Sequence, residues 1–417
     1  PYRDYYYWAD RPLNDWKASF GGSAWEYVPE RNQYYLHSYA VSQPDLNWNN
    51  PAVVKEMQDV VDFWTGLGVD GFRIDVIDQI SKDFEGGRNC FGPRLHEFIH
   101  ALFGRECVSR LFTVGECWAN DADEIERHAG SGRGELTTLF QFDHMECGRS
   151  DKFTPKPDSL RSLRDILVKW ETLTEERDLI YTLFTDNHDQ NRFLSRLGND
   201  RELRYESATC IAAMVYGLKG IPFLYQGQEF GSAGSRYDRI EDFRDIETLN
   251  MYRELRETMS DEEAMEKINF GSRDNARRPM AWNDGPGGGF SDAKPWIPPS
   301  SRWKEINLRS DLQSEKSVWR FYRDLFALRN RNDTLTHGGT VFLSRPEDPF
   351  FAYMRVSPSG RERLLFVCNF EKETEIRLQE SGKPVLTNSG RKHVSGRYGP
   401  YETAVFRLSG AAGEDKR

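Results

Sequence analysis

Five strand-like segments, each followed by an amphipathic helical pattern, constrain the fold of this chain most strongly. The segments lie at about 69–75, 111–116, 138–143, 180–186 and 221–226. A helix between two strands carries the chain back, so that the second strand runs in the same direction as the first. Repeated alternation of strand and helix therefore predicts a parallel sheet covered by helices. We therefore expect an α/β fold.

The sequence around these repeats predicts three domains. Residues 1–50 are rich in aromatic, Asn, Gly and Pro residues and lack helical periodicity, which predicts an irregular lobe. Residues 51–333 contain the strand and helix repeats, together with a long insertion rich in Gly, Pro and Trp. Short alternating strands in residues 334–417 predict a small antiparallel β domain that ends in a frayed tail.

Composition narrows the classes of function. A net charge of -10 without a long Lys/Arg run disfavours nucleic acid as a partner, and 13% aromatic residues suit a site that stacks flat ligands such as sugars. No stretch approaches the roughly 18 consecutive apolar residues of a membrane span. Six scattered cysteines, without C-x-x-C and without a His at ligand spacing, predict reduced thiols, no metal site and a cytoplasmic protein.

The segment GVDGFRIDVID, residues 68–78, places two charged residues at the end of an apolar strand. Arg73 and Asp75 alternate with apolar neighbours, so their side chains point to the same face. One interpretation is structural, an Asp neutralised by a nearby Arg. The other is a catalytic carboxylate that the guanidinium keeps ionised, as a nucleophile requires.

Acidic residues recur at the carboxyl ends of three of the predicted strands, as Asp75, Glu116 and Asp189. In parallel α/β barrels, residues at this end converge on the active site. The pattern therefore predicts a carboxylate active site. For His188 and Asp189 a role in capping a helix is the alternative.

A pair of carboxylates about 5 to 5.5 Å apart is typical of a retaining glycoside hydrolase. Arg73 would favour the ionised form of Asp75 as the nucleophile, whereas the apolar Val114 and Trp118 would favour a protonated Glu116 as the acid. Asp189, with His188 beside it, would bind the sugar hydroxyls while positive charge develops on the ring.

Several motifs resemble those of the alpha-amylase family of glycoside hydrolases. GFRID, VGE and NHD resemble the family's second, third and fourth signature regions, and QPDLN resembles the extra motif in the lobe after the third barrel strand. FGGSAWEY, YYLH, RDNAR and KPWIP are most similar to the oligo-1,6-glucosidase and dextran glucosidase branch. The resemblance extends from residue 2 to about residue 408.

This resemblance implies a role for each matching residue. Asp75 would be the nucleophile, Glu116 the acid/base and Asp189 the transition-state stabiliser. Substrate contacts would come from Arg73, His188, Val76, Arg273 and Arg277. Val76, directly after the nucleophile, matches family members that cleave α-1,6 bonds.

The resemblance also implies a partial (β/α)8 TIM barrel that contains strands four to eight, followed by the antiparallel β domain. The first three strands and the calcium-binding loop of many relatives would then be missing, and no cofactor is expected. Pairing of the open edges between two copies, as a homo-oligomer, or a separate N-terminal segment would complete the sheet. We expect little or no hydrolysis of an isomaltose analogue by the purified 417-residue chain alone, and measurable hydrolysis would refute this.

The leading hypothesis for function is an exo-acting α-glucosidase that hydrolyses the α-1,6 bonds of short, isomaltose-type oligosaccharides. Alternatives within the family are a phosphotrehalose hydrolase and a sucrose-acting isomerase or glucosidase. A non-catalytic sugar-binding or scaffold protein on the same fold is a further alternative, which the presence of all three acids disfavours.

Overall fold

The computed structural model describes residues 2–130, 132, 135–177 and 179–408. They form two compact units, the first from described residues of 1–142 and 177–182 and the second from those of 143–176 and 183–408. The predicted division into three domains stays a prediction, and its frayed tail lies outside the described residues. None of the described helices has the length and apolar character that crossing a membrane requires.

The first unit contains an N-terminal antiparallel sheet of order β1-β3-β2 and a parallel sheet of order β4-β5-β6. Its strands and helices are β1 (Trp8–Ala9), β2 (Trp25–Val28), β3 (Gln33–Leu36), α1 (Pro51–Gly66), β4 (Gly71–Ile74), α2 (Leu95–Phe103), β5 (Phe112–Glu116), α3 (Ala122–Ala129) and β6 (Thr138–Phe140).

The parallel pairing of β4, β5 and β6 confirms the predicted parallel sheet for these three strands. Arg73 pairs with Val114 across β4 and β5, and Glu116 pairs with Phe140 across β5 and β6. Gly71 is the first residue of β4. A Cβ atom at this position would lie 2.0 Å from the carbonyl oxygen of Phe112. The close approach of the two strands therefore requires glycine at this position.

The second unit contains most of the helices and the C-terminal sheet. Its elements are β7 (Arg149–Asp151), β8 (Thr154–Pro155), α4 (Leu160–Glu176), β9 (Thr182–Leu183), α5 (Phe193–Leu197), α6 (Arg204–Tyr216), β10 (Ile221–Pro222), α7 (Ile246–Arg256), α8 (Asp261–Gly271), α9 (Leu308–Gln313), α10 (Val318–Asn330), α11 (Asp333–Thr336), β11 (Gly339–Phe342), β12 (Phe350–Val356), β13 (Arg363–Asn369), β14 (Thr374–Ile376), β15 (Gly382–Thr387), β16 (Gly396–Tyr398) and β17 (Thr403–Leu408).

Two short strands, β9 and β10, form a two-stranded sheet in which the N–H of Phe223 donates to the carbonyl of Leu183 at 2.8 Å. They lie within the predicted segments 180–186 and 221–226. All five predicted strand segments therefore contain a strand, although the strands are shorter than the segments.

The C-terminal sheet is antiparallel, with the order β11-β12-β13-β17-β15. β11, β12, β13 and β17 lie in the four segments whose alternation predicts strands, TVFLSR, FFAYMRV, RLLFVCNF and TAVFRL. The sequence of β15, GKPVLT, does not predict a strand because it contains a proline, and its pairing with β17 shifts register between Pro384 and Leu386. Proline is tolerated at the edge of a sheet, and β15 is an edge strand.

A buried ion pair connects this sheet to α4. Arg355 of β12 bonds to Glu171, and both side chains are fully buried. Arg355 also donates to the carbonyl of Gly338 at 2.7 Å, and Glu171 accepts the N–H of Lys219 at 3.1 Å. Loss of either charge would leave the other buried and unpaired, which costs about 3 to 5 kcal/mol.

Candidate active site

The first group of predicted site residues lies at the ends of β4 and β5. Arg73, on β4, donates to Asp75 through Nη1, and its Nη2 lies 2.6 Å from Oε2 of Glu116. Asp75 follows the last residue of β4, and Glu116 is the last residue of β5. A single guanidinium therefore bridges two of the three predicted acids. We call Arg73, Asp75 and Glu116 the Arg73 cluster.

The two carboxylates of the Arg73 cluster differ in exposure. The side chain of Asp75 is 72% exposed, whereas that of Glu116 is 10% exposed. Burial alone would lower the pKa of Arg73, but the negative charges of Glu116 and Asp75 outweigh it and raise that pKa. Asp75 is thus open to a ligand, whereas Glu116 is largely shielded from solvent.

A buried aspartate, Asp78, lies beside the residues that follow β5. The backbone N–H of Trp118 donates to its Oδ2 at 3.2 Å, and burial raises the pKa of Asp78 to about 6. The ring of Trp118 stacks on Phe142, with ring centroids 4.5 Å apart. Asp78 was not among the predicted residues, although it follows Asp75 by three positions in the same motif.

Tyr39 is a second residue of this region that sequence reasoning missed. Its hydroxyl accepts a hydrogen bond from Nε2 of Gln79 at 3.0 Å. Burial, together with the charges of Glu116 and Asp78, raises the pKa of Tyr39. The phenol therefore stays protonated at neutral pH and can donate a hydrogen bond. A lone tyrosine in an aromatic-rich lobe carries no sequence signal for this position.

Val76 has a backbone φ of 37°, in the left-handed region. A β-branched residue rarely adopts this conformation, which costs on the order of 1 to 3 kcal/mol. Val76 ends the strand-to-loop turn and precedes a short 3-10 helix, Ile77–Gln79. The strain falls directly after Asp75, so it fixes the direction in which the chain leaves this carboxylate.

The second group surrounds Asp189. Its Oδ1 accepts hydrogen bonds from Arg273 Nη1 at 2.8 Å and Arg277 Nη2 at 2.7 Å, and its Oδ2 lies 2.9 Å from His188 Nε2. Burial alone would raise the pKa of Asp189, but the hydrogen bond from His188 and the charges of both arginines hold it well below its usual range.

Asp245 completes this group, which we call the Asp189 cluster: His188, Asp189, Asp245, Arg273 and Arg277. Asp245 Oδ1 accepts from Arg273 Nη2 at 2.6 Å, and its Oδ2 caps α7 by accepting the N–H of Thr248 at 3.0 Å. Its side chain is 1% exposed. Asp245 was not among the residues predicted from the sequence, because it lies in the long insertion and does not follow one of the predicted strands.

The alternative role of Asp189 as a helix cap does not agree with the hydrogen bonds. The first N–H of α5, from Phe193, donates to Asp186 Oδ1 at 2.9 Å. The N–H of Asp189 itself donates to Asn187 Oδ1 at 2.9 Å, which forms a tight turn. This turn leaves the carboxylate of Asp189 to the two arginines.

Each unit thus brings together its own share of the predicted residues. Arg73, Asp75 and Glu116 are joined in the first unit, with Val76 next to Asp75 in the chain. The second unit joins His188, Asp189, Arg273 and Arg277.

The chain was compared with models of known protein families. The model of the alpha-amylase catalytic domain matches residues 1–338, which contain both clusters. The chain belongs to the alpha-amylase family. It shares that family's fold class, an α/β fold of the TIM-barrel type followed by a C-terminal antiparallel sheet.

Relatives within the alpha-amylase family include several oligo-1,6-glucosidases and an α-glucosidase, which are glycoside hydrolases. The oligo-1,6-glucosidase of Parageobacillus thermoglucosidasius is 39% identical over 401 residues, which cover 90% of this chain and 71% of that protein. A trehalose-6-phosphate hydrolase of Bacillus subtilis is 36% identical over 440 residues, covering 98% of this chain and 78% of that protein.

Solved structures show the same relationship. The isomaltulose synthase of Erwinia rhapontici superimposes with a TM-score of 0.91 at 30% identity, and the match covers 98% of this chain and 78% of that one.

Proposed function

We propose that this protein is a retaining, exo-acting α-glucosidase that hydrolyses the α-1,6 bonds of short, isomaltose-type oligosaccharides. The observation that carries the proposal is the Arg73 cluster, in which one guanidinium contacts both an exposed and a buried carboxylate. Such a pair supplies the ionised nucleophile and the proton donor that retaining hydrolysis needs.

The proposed reaction has two steps. In the first, Asp75 attacks the anomeric carbon while Glu116 protonates the departing glycosidic oxygen, which gives a covalent glucosyl ester of Asp75. In the second, Glu116 takes a proton from water, and the water attacks the same carbon and releases Asp75. Two inversions at one carbon give net retention of the α configuration.

The Asp189 cluster is proposed to bind the sugar. Asp189 would accept hydrogen bonds from sugar hydroxyls and stabilise the positive charge of the ring in the transition state. His188, Arg273 and Arg277 would contact the same sugar. The low pKa of Asp189 supports this role, because its carboxylate stays ionised throughout the range in which such enzymes work.

Val76 supports α-1,6 preference, because its side chain directly follows the proposed nucleophile. Two relatives are named a trehalose-6-phosphate hydrolase and an isomaltulose synthase. Both activities are therefore alternatives for this chain.

We further propose that β4, β5, β6, β9 and β10 correspond to barrel strands four to eight. The six free cysteines support a cytoplasmic location.

A substrate panel tests the proposal. The purified protein would be assayed with isomaltose, maltose, sucrose and trehalose 6-phosphate, while proton NMR follows the first-formed product. We expect isomaltose to have the highest kcat/KM and α-glucose to appear before β-glucose. Initial release of β-glucose would contradict retention, and isomaltulose formed from sucrose would favour the isomerase alternative.

The order of the four substrates tests the proposed specificity independently of the absolute rate, which is expected to be low for the 417-residue chain.

A further inference from the structure

Three side chains with metal-binding atoms meet between α2 and α3 in the first unit. Nε2 of His96 lies 3.5 Å from Oε1 of Glu124, and Nδ1 of His128 lies 3.6 Å from the same oxygen. Each of the three residues offers one atom that can bind a metal, and these three atoms lie within 4.8 Å of one another. Neither the proposed reaction nor the sugar site uses any of these residues.

Hydrogen bonds orient both imidazole rings. Nδ1 of His96 lies 2.9 Å from Oε2 of Glu135, and Nδ1 of His128 donates to the backbone carbonyl of Glu124 at 2.8 Å. A ring that donates through Nδ1 carries its lone pair on Nε2. Metal-binding histidines are commonly held in this way, with the second ring nitrogen donating to a carboxylate or a carbonyl.

His128 provides the second observation. Its side chain is fully buried, and its Nε2 atom has no hydrogen-bond partner among the described residues. A buried polar atom that lacks a partner destabilises the folded protein, and a ligand bound to that atom would offset this cost.

Glu124 is fixed by the start of α3. Asp121 caps this helix by accepting the N–H of Glu124 at 2.8 Å, and the i to i+4 spacing puts Glu124 and His128 on one face. The other carboxylate oxygen of Glu124, Oε2, lies 3.5 Å from Arg127. Oε1 is the oxygen nearer the two rings and is the proposed ligand atom.

We propose that His96, Glu124 and His128 form a binding site for a divalent metal ion of the zinc class, which links α2 to α3. Two imidazole nitrogens and one carboxylate oxygen are a ligand set that zinc takes, with water in the fourth position. Bonds of about 2.0 to 2.2 Å place tetrahedral ligands roughly 3.3 to 3.5 Å apart. The 3.5 Å between Nε2 of His96 and Oε1 of Glu124 fits this spacing. Side-chain rotation of His128 would bring its Nε2 atom to the same ion.

The sequence alone gives no sign of this cluster, because the fold brings its residues together. Glu124 and His128 are close in sequence, but His96 comes from another helix. The same geometry has one competing explanation, in which a protonated His96 forms ion pairs with Glu124 and Glu135 and no metal binds.

Zinc binding to the purified, chelator-treated protein tests the proposal. Cys107 is first replaced as Cys107→Ser, because it is an exposed free thiol and thiols are zinc ligands. Titration calorimetry is expected to show one Zn²⁺ bound per chain with micromolar or tighter affinity, and Co²⁺ is expected to give the intense visible bands of a tetrahedral site. Zn²⁺ is expected to raise the melting temperature, whereas Mg²⁺ and Ca²⁺ are not.

Variants assign the ion to these ligands. Glu124→Gln and His96→Gln, at partly exposed positions, should each weaken zinc binding at least tenfold and remove the zinc-dependent rise in melting temperature. His100→Gln, at an exposed histidine of α2, is the matched control and should bind zinc as the parent does. Failure of the parent to bind zinc, or unchanged binding by Glu124→Gln and His96→Gln, would overturn the proposal and favour the ion-pair explanation.

Discussion

The two acidic clusters use arginine in opposite ways. In the Arg73 cluster one guanidinium is shared by two carboxylates, whereas in the Asp189 cluster one carboxylate is shared by two guanidiniums and a histidine. Negative charge is in excess in the first case and well neutralised in the second. The second arrangement holds the Asp189 carboxylate in its ionised form, whereas the first keeps two carboxylates of different exposure on one cation.

Glu116→Gln tests the first half of this comparison and should have the largest effect. Gln can accept from Arg73 but cannot deliver a proton, so kcat/KM for isomaltose should fall by about 10² to 10⁴. A nitrophenyl α-glucoside, whose leaving group needs little protonation, should lose less activity in its first step. Calorimetry should show that the variant still binds isomaltose.

A matched control for Glu116→Gln is Glu97→Gln. Glu97 is also paired with an arginine, Arg94, but its side chain is 58% exposed on α2. Its turnover should equal that of the parent. Unchanged turnover in Glu116→Gln would remove Glu116 from the role of acid/base.

Asp189→Asn tests the second half. The change leaves Arg273 and Arg277 with a weaker partner and removes the ionised oxygen that would face the sugar, so kcat/KM should fall by about 10² to 10³. Since the effect is loss of fixed charge and not of a proton, isomaltose and nitrophenyl glucoside should be affected alike. This equality distinguishes Asp189 from Glu116.

The control for Asp189→Asn is Asp324→Asn, which removes an exposed acid beside Arg323. Its kinetics should match the parent. A larger loss on isomaltose than on the nitrophenyl glucoside in Asp189→Asn would assign Asp189 to proton transfer and break the comparison between the clusters.

The sequence was informative about the acids because each follows a strand end within a recognisable motif. Asp75, Glu116 and Asp189 could be named from position alone, and the structure gives two of them a common partner in Arg73 and the third a partner in Arg273. Asp245 could not be found in this way. It caps a helix within the long insertion, and its contact with Arg273 depends on tertiary structure.

Helix α1 shows a second limit. The pair Asn50 and Pro51 predicts an N-cap followed by the first helical residue. The structure confirms it, since Asn50 accepts the N–H of Ala52 at 3.0 Å and the helix begins at Pro51. The spacing of apolar residues predicts one apolar face that contains Val53 and Trp64, yet Trp64 is 48% exposed while Val53 is buried. Periodicity identifies an apolar face, but which of its residues become covered depends on what packs there.

Asp78→Asn tests how burial affects an aspartate that lies near the Arg73 cluster, and its effect is measured on protein stability. The pKa of Asp78 is raised to about 6 in the folded protein from an ordinary 3.8, so its ionised form destabilises the fold. The stabilising effect of Asn should therefore be absent near pH 4, grow as pH rises toward 6, and stay constant above it. About two pKa units correspond to roughly 3 kcal/mol at most, and we expect 1 to 3 kcal/mol in denaturant unfolding at pH 7.5.

Asp83→Asn is the control of opposite sign. The hydrogen bond from the N–H of Gly86 and the interaction with Arg88 lower the pKa of Asp83. Its ionised form stabilises the fold above the ordinary pKa, and that contribution disappears as pH falls. The variant should therefore be less stable than the parent at pH 7.5. An Asp78→Asn effect that does not change between pH 4 and pH 7.5 would contradict the raised pKa.

Val76→Thr should have the smallest effect, because it alters the neighbour of a charged group and not the charge itself. Thr has nearly the shape of Val and the same difficulty with a φ of 37°, so the turn after Asp75 is kept. Its hydroxyl adds a polar group where α-1,6 preference is proposed to arise. The ratio of kcat/KM for isomaltose to that for maltose should fall by about tenfold or less, as expected for one group in a pocket.

Val60→Thr, on the exposed face of α1, is the control and should leave this ratio unchanged. If the ratio is also unchanged in Val76→Thr, bond preference resides elsewhere, and the strained turn serves only to aim Asp75.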